Sequence, residues 1–208
     1  MVLVHGWWMH TVAMGLLGRR LERLHGFRAI GFSYPSVRWT LDESADALRI
    51  ACERIPGSTL HFVGHSLGGI VILRMLRRHG WTRPGRVVAL GAPFAGSAVA
   101  CFRMRRPLGR WIVGPGLAEA ARGAESMPWT GRQEIGVIAG TRPIGLGRLL
   151  GPITPPHDGL VSVDETRLPG AAEHRVVHAT HTALLFSRPV AELVGGFLAH
   201  GQFPSWTR

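Results

Sequence analysis

The run Gly-His-Ser-Leu-Gly-Gly at positions 64–69 constrains the fold more than any other segment of this chain. It follows an apolar run typical of a strand and precedes apolar residues that recur at helical spacing. A turn this tight strains its serine and leaves room only for very small residues two positions before and after it. The run therefore predicts a sharp strand-to-helix turn that carries Ser66 above a sheet. A glycine-rich turn that merely packs closely is the alternative.

Short β-branched runs alternate with helical patterns along the rest of the chain. Helices are predicted from the capping-box pair Thr40 and Glu43, from Ser66 to Gly80, and from Pro189 onward. Strands that alternate with helices form a mainly parallel sheet covered on both faces, so we expect an α/β fold. A chain of 208 residues suits one domain, residues 1–208. The predicted strands are residues 2–5, 29–32, 60–63, 86–90, 135–139 and 175–178.

The formal net charge is +11, and all basic residues are arginine. No nucleic-acid-binding motif accompanies this charge, so we expect no nucleic-acid partner. A positive field raises the local concentration of anionic partners, which makes an anionic membrane surface a candidate.

The two cysteines, Cys52 and Cys101, are too few for a disulfide scaffold and are wrongly spaced for a zinc site. The N-terminal residues lack the pattern of a signal peptide, and no apolar run approaches the roughly 20 residues that span a bilayer. These features predict a cytoplasmic protein.

A serine hydroxyl becomes a useful nucleophile when a histidine takes its proton and a carboxylate orients that histidine. After a serine on such a turn, the acid and then the histidine follow along the chain. Asp158 is the first candidate for the acid because it ends the loop after the fifth predicted strand, at an edge where α/β sheets place their sites. The competing carboxylates, each of which could be a solvated surface charge, are Asp164, Glu165 and Glu173.

His181 is the first candidate for the base, because it comes just after the last predicted strand. His174 and His178 are alternatives, although His178 is predicted within that strand, with its ring toward a sheet face. The three histidines have no matching carboxylate or cysteine pattern, so we expect no metal site.

An oxyanion that forms during acyl transfer needs fixed N–H donors. One is expected to be the backbone N–H of Leu67, directly after the nucleophile, and the other lies in the loop after the first strand. Trp7 occupies that position, and Gly6 before it lets the backbone come close. We expect His5 to be a buried, hydrogen-bonded residue.

These segments together resemble the lipase and esterase branch of the α/β-hydrolase superfamily, especially the minimal bacterial lipases that lack a large cap. Residues 2–7 are similar to the oxyanion strand and loop, 64–69 to the nucleophile turn, 158–161 to the acid loop and 181–190 to the histidine loop. The resemblance favours His181 over His178. It implies a minimal α/β-hydrolase fold of about six strands. It also implies an enzyme that hydrolyses a small-molecule or lipid ester without metal or organic cofactor.

The same residues would serve a thioesterase, an amidase or an acyltransferase, because they do not encode the leaving group or the acceptor. A non-catalytic binding protein on the same fold is the alternative from another class. The complete set of serine, acid and histidine in the expected order is the feature that favours an enzyme over a binding protein.

Two segments depart from the regular alternation. Residues 95–132 mix Phe102, Met104, Trp111 and Ile112 with the arginines at 103, 105, 106 and 110. We expect this insertion either to form a flap that binds anionic lipid or to pack its apolar residues inward as a cap. Residues 141–157 are rich in Gly and Pro, which predicts a long surface loop.

Overall fold

The computed structural model describes residues 1–123, 125–145 and 147–205. Six strands form one sheet in the order β2-β1-β3-β4-β5-β6, and every neighbouring pair is parallel. The predicted α/β class with about six mainly parallel strands is confirmed. The strands are β1 (Val2–Val4), β2 (Ile30–Phe32), β3 (Phe62–His65), β4 (Val87–Leu90), β5 (Ile135–Gly140) and β6 (Glu173–Val177).

The strand order reverses direction beside β1. The chain first runs outward from β1 to β2, and then returns to the other side of β1 to add β3 to β6 in sequence. Ligands of open α/β sheets bind at the carboxyl ends of the strands, where such a reversal opens a crevice. The loops after β1 and β3 therefore meet at the position where a site is expected.

Helices cover both faces of the sheet. The predicted capping box at Thr40 and Glu43 is present, and Gly80 ends its helix with φ 57°. Ser187 caps the last helix just before Pro189. The helices in the described residues are α1 (Gly15–His25), α2 (Leu41–Glu53), α3 (Leu67–His79), α4 (Ala98–Met104), α5 (Gly109–Ala121), α6 (Gly147–Leu150), α7 (Ala183–Phe186) and α8 (Arg188–His200).

Two hydrophobic cores lie on opposite faces of the sheet. Alternate residues of a strand point to opposite faces, so Val2 and Val4 enter one core and Leu3 enters the other. The first core lies against α2, α3 and α5, and the second against α1 and α8. The helices thus fix the sheet from both sides and leave its carboxyl edge for the connecting loops.

All six predicted strands differ from the structure at one or both ends, and the differences reach two residues in β3 and β6. β3 runs from Phe62 to His65 rather than from 60 to 63, and its first residue pairs with Val87, the first residue of β4. β6 ends at Val177, so the prediction that His178 belongs to this strand is wrong. His178 lies just beyond the strand and is exposed to solvent.

The 95–132 segment contains α4 and α5, which pack against each other and contribute Ala100, Val113 and Leu117 to the first core. Leu108, in the turn between them, and Trp111, in the first turn of α5, are exposed. Inward packing therefore accounts for part of the segment and not for its tip. The 141–157 segment is not a loop throughout, because it contains α6.

Within the described ranges, none of the helices combines the length and the apolar character that crossing a bilayer requires.

Candidate active site

The turn between β3 and α3 has the strained geometry that its sequence predicts. Ser66 adopts φ 52° and ψ −123°, a backbone conformation that side chains rarely take. A Cβ atom at Gly64 would lie 2.5 Å from the Gly69 amide nitrogen, and one at Gly68 would lie 2.2 Å from the Val4 carbonyl oxygen. Both positions therefore require glycine, and the turn holds Ser66 at the carboxyl edge of the sheet.

The structure brings Asp158 and His181 together. The Nδ1 atom of His181 lies 2.7 Å from Oδ2 of Asp158, and the His181 amide donates to the Asp158 carbonyl at 2.9 Å. The other carboxylate oxygen, Oδ1, accepts the amides of Leu160 at 2.9 Å and Val161 at 2.8 Å. Every carboxylate oxygen of this buried side chain thus has a donor, which fixes its position behind the imidazole.

The carboxyl group of Asp158 is held in its charged form. Burial favours the neutral acid, but the His181 ring and the two backbone amides outweigh it and keep the pKa of Asp158 below its usual value. A charged acceptor on Nδ1 selects the tautomer that carries the proton there and leaves Nε2 of a neutral His181 unprotonated. This is the form in which an imidazole can accept a proton from a hydroxyl.

Ser66 and His181 line the same cavity. No hydrogen bond joins the Ser66 hydroxyl to the His181 ring in the described part of the chain. Contacts of this kind are often long in the absence of substrate and tighten in the reacting complex.

The neighbouring His65 supports the His181 loop. Its Nε2 atom lies 3.0 Å from the His181 carbonyl oxygen, and the two rings are 4.7 Å apart between centroids. Burial, followed by the nearby His181 ring, lowers the pKa of His65 to about 3. A neutral His65 therefore donates a hydrogen bond to the loop that carries the candidate base.

The loop after β1 lies beside the serine. A Cβ atom at Gly6 would approach Cβ of Ser66 to 3.0 Å, so glycine allows the close approach that the sequence predicts. Within the described residues, the amides of Trp7 and Leu67 donate to no protein acceptor. These two N–H groups, one in the loop after β1 and one at the start of α3, are therefore not engaged within this part of the chain.

His5 is fully buried, and its Nδ1 atom lies 2.9 Å from the Gly6 carbonyl oxygen. Its Nε2 atom accepts the Tyr34 amide at 3.3 Å, and the Tyr34 hydroxyl donates to the His5 carbonyl at 3.1 Å. Burial lowers the pKa of His5, in keeping with this neutral ring. His5 is therefore the hydrogen-bonded structural residue that its position predicts.

The indole of Trp7 joins the loop after β1 to a break in α5. Gly114 leaves the helical conformation at φ 74°, and Pro115 lacks an N–H, so carbonyls just before them lose their helical partners. The Trp7 indole donates to the Val113 carbonyl at 2.9 Å, and that of Trp8 donates to the Ile112 carbonyl at 3.1 Å. Two indole hydrogen bonds thus attach α5 to the loop after β1.

The competing residues lie elsewhere. Asp164 pairs with Arg167 at 3.1 Å with both side chains exposed. Glu165 accepts the Ser162 and Ala98 amides at 2.8 and 2.6 Å. His174 shares a 2.8 Å hydrogen bond with the Thr166 hydroxyl, away from His181. Glu173 accepts the Phe203 amide at 3.2 Å.

No cluster of three or more His, Cys, Asp or Glu side chains suited to a metal occurs among the described residues.

A cavity of about 540 Å³ opens above Ser66. This volume suits a small organic ligand. Its walls come from the loop after β1, from α4 and α5, and from the loops before α6 and after Asp158. They are mainly apolar and include Trp7, Trp8, Met9, Val99, Ala100, Arg103, Val113, Leu117, Ile144, Leu150, Leu160 and Val161.

Sequence reasoning missed several supporting residues of this site. A Cβ atom at Gly91 would lie 3.0 Å from Nδ1 of His181, and one at Gly140 would lie 2.7 Å from Cβ of Asp158. These glycines follow or end β4 and β5, and a glycine at the carboxyl end of a strand is the signal that could have found them. The position of Arg103 in the cavity wall has no local sequence signal.

Solved structures with similar folds include several ester-cleaving enzymes, whereas no protein-family model and no curated protein sequence matches the chain. The mature form of the lipase BlEst2 from Bacillus licheniformis aligns with a TM-score of 0.76 and 18% identity, covering 97% of this chain and 91% of that chain. A metagenomic carboxyl esterase aligns with a TM-score of 0.68 and 21% identity, covering 88% of this chain and 64% of that one.

The carboxylesterase CesB from Bacillus subtilis aligns with a TM-score of 0.58 and 14% identity, covering 97% of this chain and 84% of that one. Identities this low establish similarity of fold. Together with the sheet order, they show that the chain has the α/β-hydrolase fold, with lipases and carboxylesterases among its structural neighbours.

Proposed function

We propose that this chain is a serine hydrolase that cleaves carboxylic esters through an acyl-enzyme intermediate. The observation that carries the proposal is the buried His181–Asp158 pair, 2.7 Å apart, which shares a cavity with a serine on a strained turn. The names of the structural neighbours, a lipase and carboxylesterases, point to the same chemistry.

In the proposed reaction, Ser66 Oγ attacks the ester carbonyl while Nε2 of His181 takes the hydroxyl proton. Asp158 orients the ring and stabilises the imidazolium. The carbonyl oxygen gains the negative charge and accepts hydrogen bonds from the amides of Trp7 and Leu67. His181 then returns its proton to the leaving alcohol, and a water molecule repeats the sequence to release the acid and regenerate Ser66.

The apolar cavity favours an ester with a hydrocarbon acyl or alcohol group. A thioester, an amide or an acyl acceptor other than water would use the same residues. These activities remain alternatives within the proposal, and a non-catalytic role on this fold is the alternative outside it. No metal or organic cofactor enters any step of the proposed mechanism.

Hydrolysis of a p-nitrophenyl ester by the wild-type protein and by Ser66→Ala tests the proposal. The substitution removes a hydroxyl that lines the cavity and contributes little to the cores, so the variant is expected to fold. Its turnover is expected to fall by about 10⁴- to 10⁶-fold. Wild-type rates in a folded Ser66→Ala protein would contradict the proposal.

The tip of the 95–132 segment supports an anionic membrane as a binding partner of this enzyme. Leu108 and Trp111 are 74% and 85% exposed, and Arg105 and Arg106 beside them are exposed as well. Exposed apolar residues beside arginines suit the headgroup boundary of a bilayer. The side chain of Arg110, which the sequence prediction included, lies outside the described residues. Whether the segment moves as a flap stays a prediction.

Co-sedimentation with vesicles that contain anionic lipid tests this partner. The double variant Arg105→Gln, Arg106→Gln is expected to bind on the order of tenfold or more weakly, since each basic residue near such a surface contributes about 1 kcal/mol. The double variant Arg19→Gln, Arg23→Gln is the matched control, because these exposed residues lie on α1, against the other face of the sheet. Equal loss in both variants would indicate a general charge effect and no docking surface.

A further inference from the structure

Arg103 is the one residue with a permanent charge among the described residues that line the cavity. The described part of the lining includes no carboxylate, and its uncharged polar groups are the hydroxyls of Ser66, Ser97 and Thr182, two indoles and the two histidines of the site. A guanidinium stays protonated at any pH the protein meets. The cavity therefore presents a fixed positive charge in a mainly apolar wall.

Among the residues that the structure describes, the guanidinium of Arg103 makes no hydrogen bond or ion pair with another protein group. Its Nε atom is buried and makes no hydrogen bond, and the described carboxylates form their ion pairs with other residues. By contrast, Arg77 binds Glu125 at 2.6 Å and Arg86 binds Glu134 at 2.5 Å. A buried polar group without a partner is costly, and for a cation the natural partner is an anion.

The position of Arg103 in α4 explains its charge only in part. It lies in the last turn of the helix, where a cation interacts favourably with the helix dipole. An arginine that is exposed to solvent can make the same interaction, and Arg105, two residues further along, is such an arginine. The dipole thus gives no reason for Arg103 to line the cavity with an unpaired Nε.

We propose that Arg103 binds an anionic group of the substrate, a carboxylate or a phosphate, so that the preferred ester is negatively charged. The proposal rests on the proposed ester hydrolysis and names its substrate class. The planar guanidinium donates paired hydrogen bonds to two oxygens of either anion. The apolar wall around it accommodates the hydrocarbon between that anion and the ester at Ser66.

Matched pairs of soluble p-nitrophenyl esters test the proposal. In each pair the acyl chains are equal in length, and one ends in a carboxylate whereas the other ends in its methyl ester. Arg103→Gln is expected to lower kcat/KM for the anionic ester by about 10- to 100-fold relative to the neutral ester, mainly through KM. Arg19→Gln, at an exposed position on α1 and outside the cavity, is the matched control and is expected to leave the ratio of the two rates unchanged.

A direct binding measurement separates this proposal from the proposed function. Calorimetric titration of wild type and Arg103→Gln with a short alkyl phosphate and a short alkyl carboxylate needs no turnover and shows which anion is bound. Hydrolysis of neutral esters with an unchanged rate ratio in Arg103→Gln would overturn the Arg103 proposal alone. Absence of hydrolysis, with Arg103-dependent anion binding, would overturn the proposed function alone. Arg103→Lys, which keeps the charge without the paired donors, is expected to retain part of the preference.

Discussion

At the scale of single residues, the site depends on where each side chain is forced to lie. Ser66 has a strained backbone in a turn that only glycine permits at positions 64 and 68. A Cβ atom at either position would lie 2.2–2.5 Å from a neighbouring backbone atom. Asp158 is ionised although buried, because His181 and two backbone amides bind its oxygens and lower its pKa. These local constraints make the site sensitive to conservative substitutions.

Neighbouring residues of the same type provide matched controls for the proposed triad. Asp158→Asn and His181→Ala are expected to lose at least about 10³- to 10⁴-fold in kcat, because the ring loses its orienting acceptor or its base. Asp164→Asn and His178→Ala are expected to keep most of their turnover, since both side chains are exposed. Steady-state kinetics on one aryl ester measures all four variants, and the reverse ranking within either pair would refute the assignment.

Ser66, Asp158 and His181 could be identified from the sequence because each has a recognisable position along the chain. Ser66 lies between glycines in a strand-to-helix turn, Asp158 follows one predicted strand, and His181 follows the next. The hydrogen bond that Asp158 accepts from the Val161 amide also joins residues close in sequence. Arg103 and Gly91, by contrast, become part of the site only through tertiary packing. Chain-distant contacts of this kind have no pattern in a single sequence.

At the scale of secondary-structure elements, β-branched runs and capping residues predicted the six strands and the helices α2, α3 and α8. Helix α1 was missed, although Leu17 and Leu21 recur at a spacing of four and lie in the second core. The break in α5 was also missed. Gly114 and Pro115 mark it in the sequence, but its partners Trp7 and Trp8 lie about a hundred residues away.

The two tryptophans that bind the α5 break are expected to differ in importance. Trp7→Phe leaves the buried Val113 carbonyl without its donor, so the free energy of unfolding is expected to fall by about 1–3 kcal/mol. Turnover is expected to fall as well, because loss of the indole bond loosens the loop that positions the Trp7 backbone amide, a proposed oxyanion donor. Trp8→Phe is the control, since Trp8 is 65% exposed and water can replace its bond to Ile112.

Urea unfolding and ester kinetics on both variants measure these effects. A larger loss of stability in Trp8→Phe than in Trp7→Phe would contradict the proposed link between the cap and the oxyanion loop.

At the scale of the whole molecule, the reversal of strand order beside β1 collects the loops of β1 and β3 at one edge, and α4 and α5 close a cavity over them. The parallel α/β class follows from the alternation of elements in the sequence, but the spatial order of the strands does not. That residues 1–208 form a single domain stays a prediction. Burial on folding also lowers the pKa of His5, His61 and His65, and this links the stability of the whole fold to pH.

The buried imidazole of His65 is expected to make the protein less stable in acid. Burial lowers its pKa to about 3, whereas an imidazole in an unfolded chain has a pKa of about 6.5. Between these values the unfolded chain binds more protons, so a fall in pH favours unfolding. Through His65, the free energy of unfolding is expected to decrease by about 1.4 kcal/mol for each pH unit below 6.5.

Urea unfolding between pH 7 and pH 5 measures this slope. His65→Asn, which keeps a donor for the His181 carbonyl, is expected to show a shallower dependence than wild type. His178→Asn, at an exposed position, is the control and is expected to follow the wild-type curve. Parallel curves for wild type and His65→Asn would show that His65 is not held neutral by the fold.

The central claim is that Ser66 is an activated nucleophile, and covalent labelling by a fluorophosphonate tests it most directly. The reagent phosphonylates a serine that an adjacent base activates, and mass spectrometry of the intact protein and its peptides locates the adduct. We expect one adduct per wild-type chain, on the peptide that contains Ser66, with none on Ser66→Ala and much slower labelling of His181→Ala. An unlabelled, folded wild-type protein, or equal labelling of Ser66→Ala, would contradict the claim.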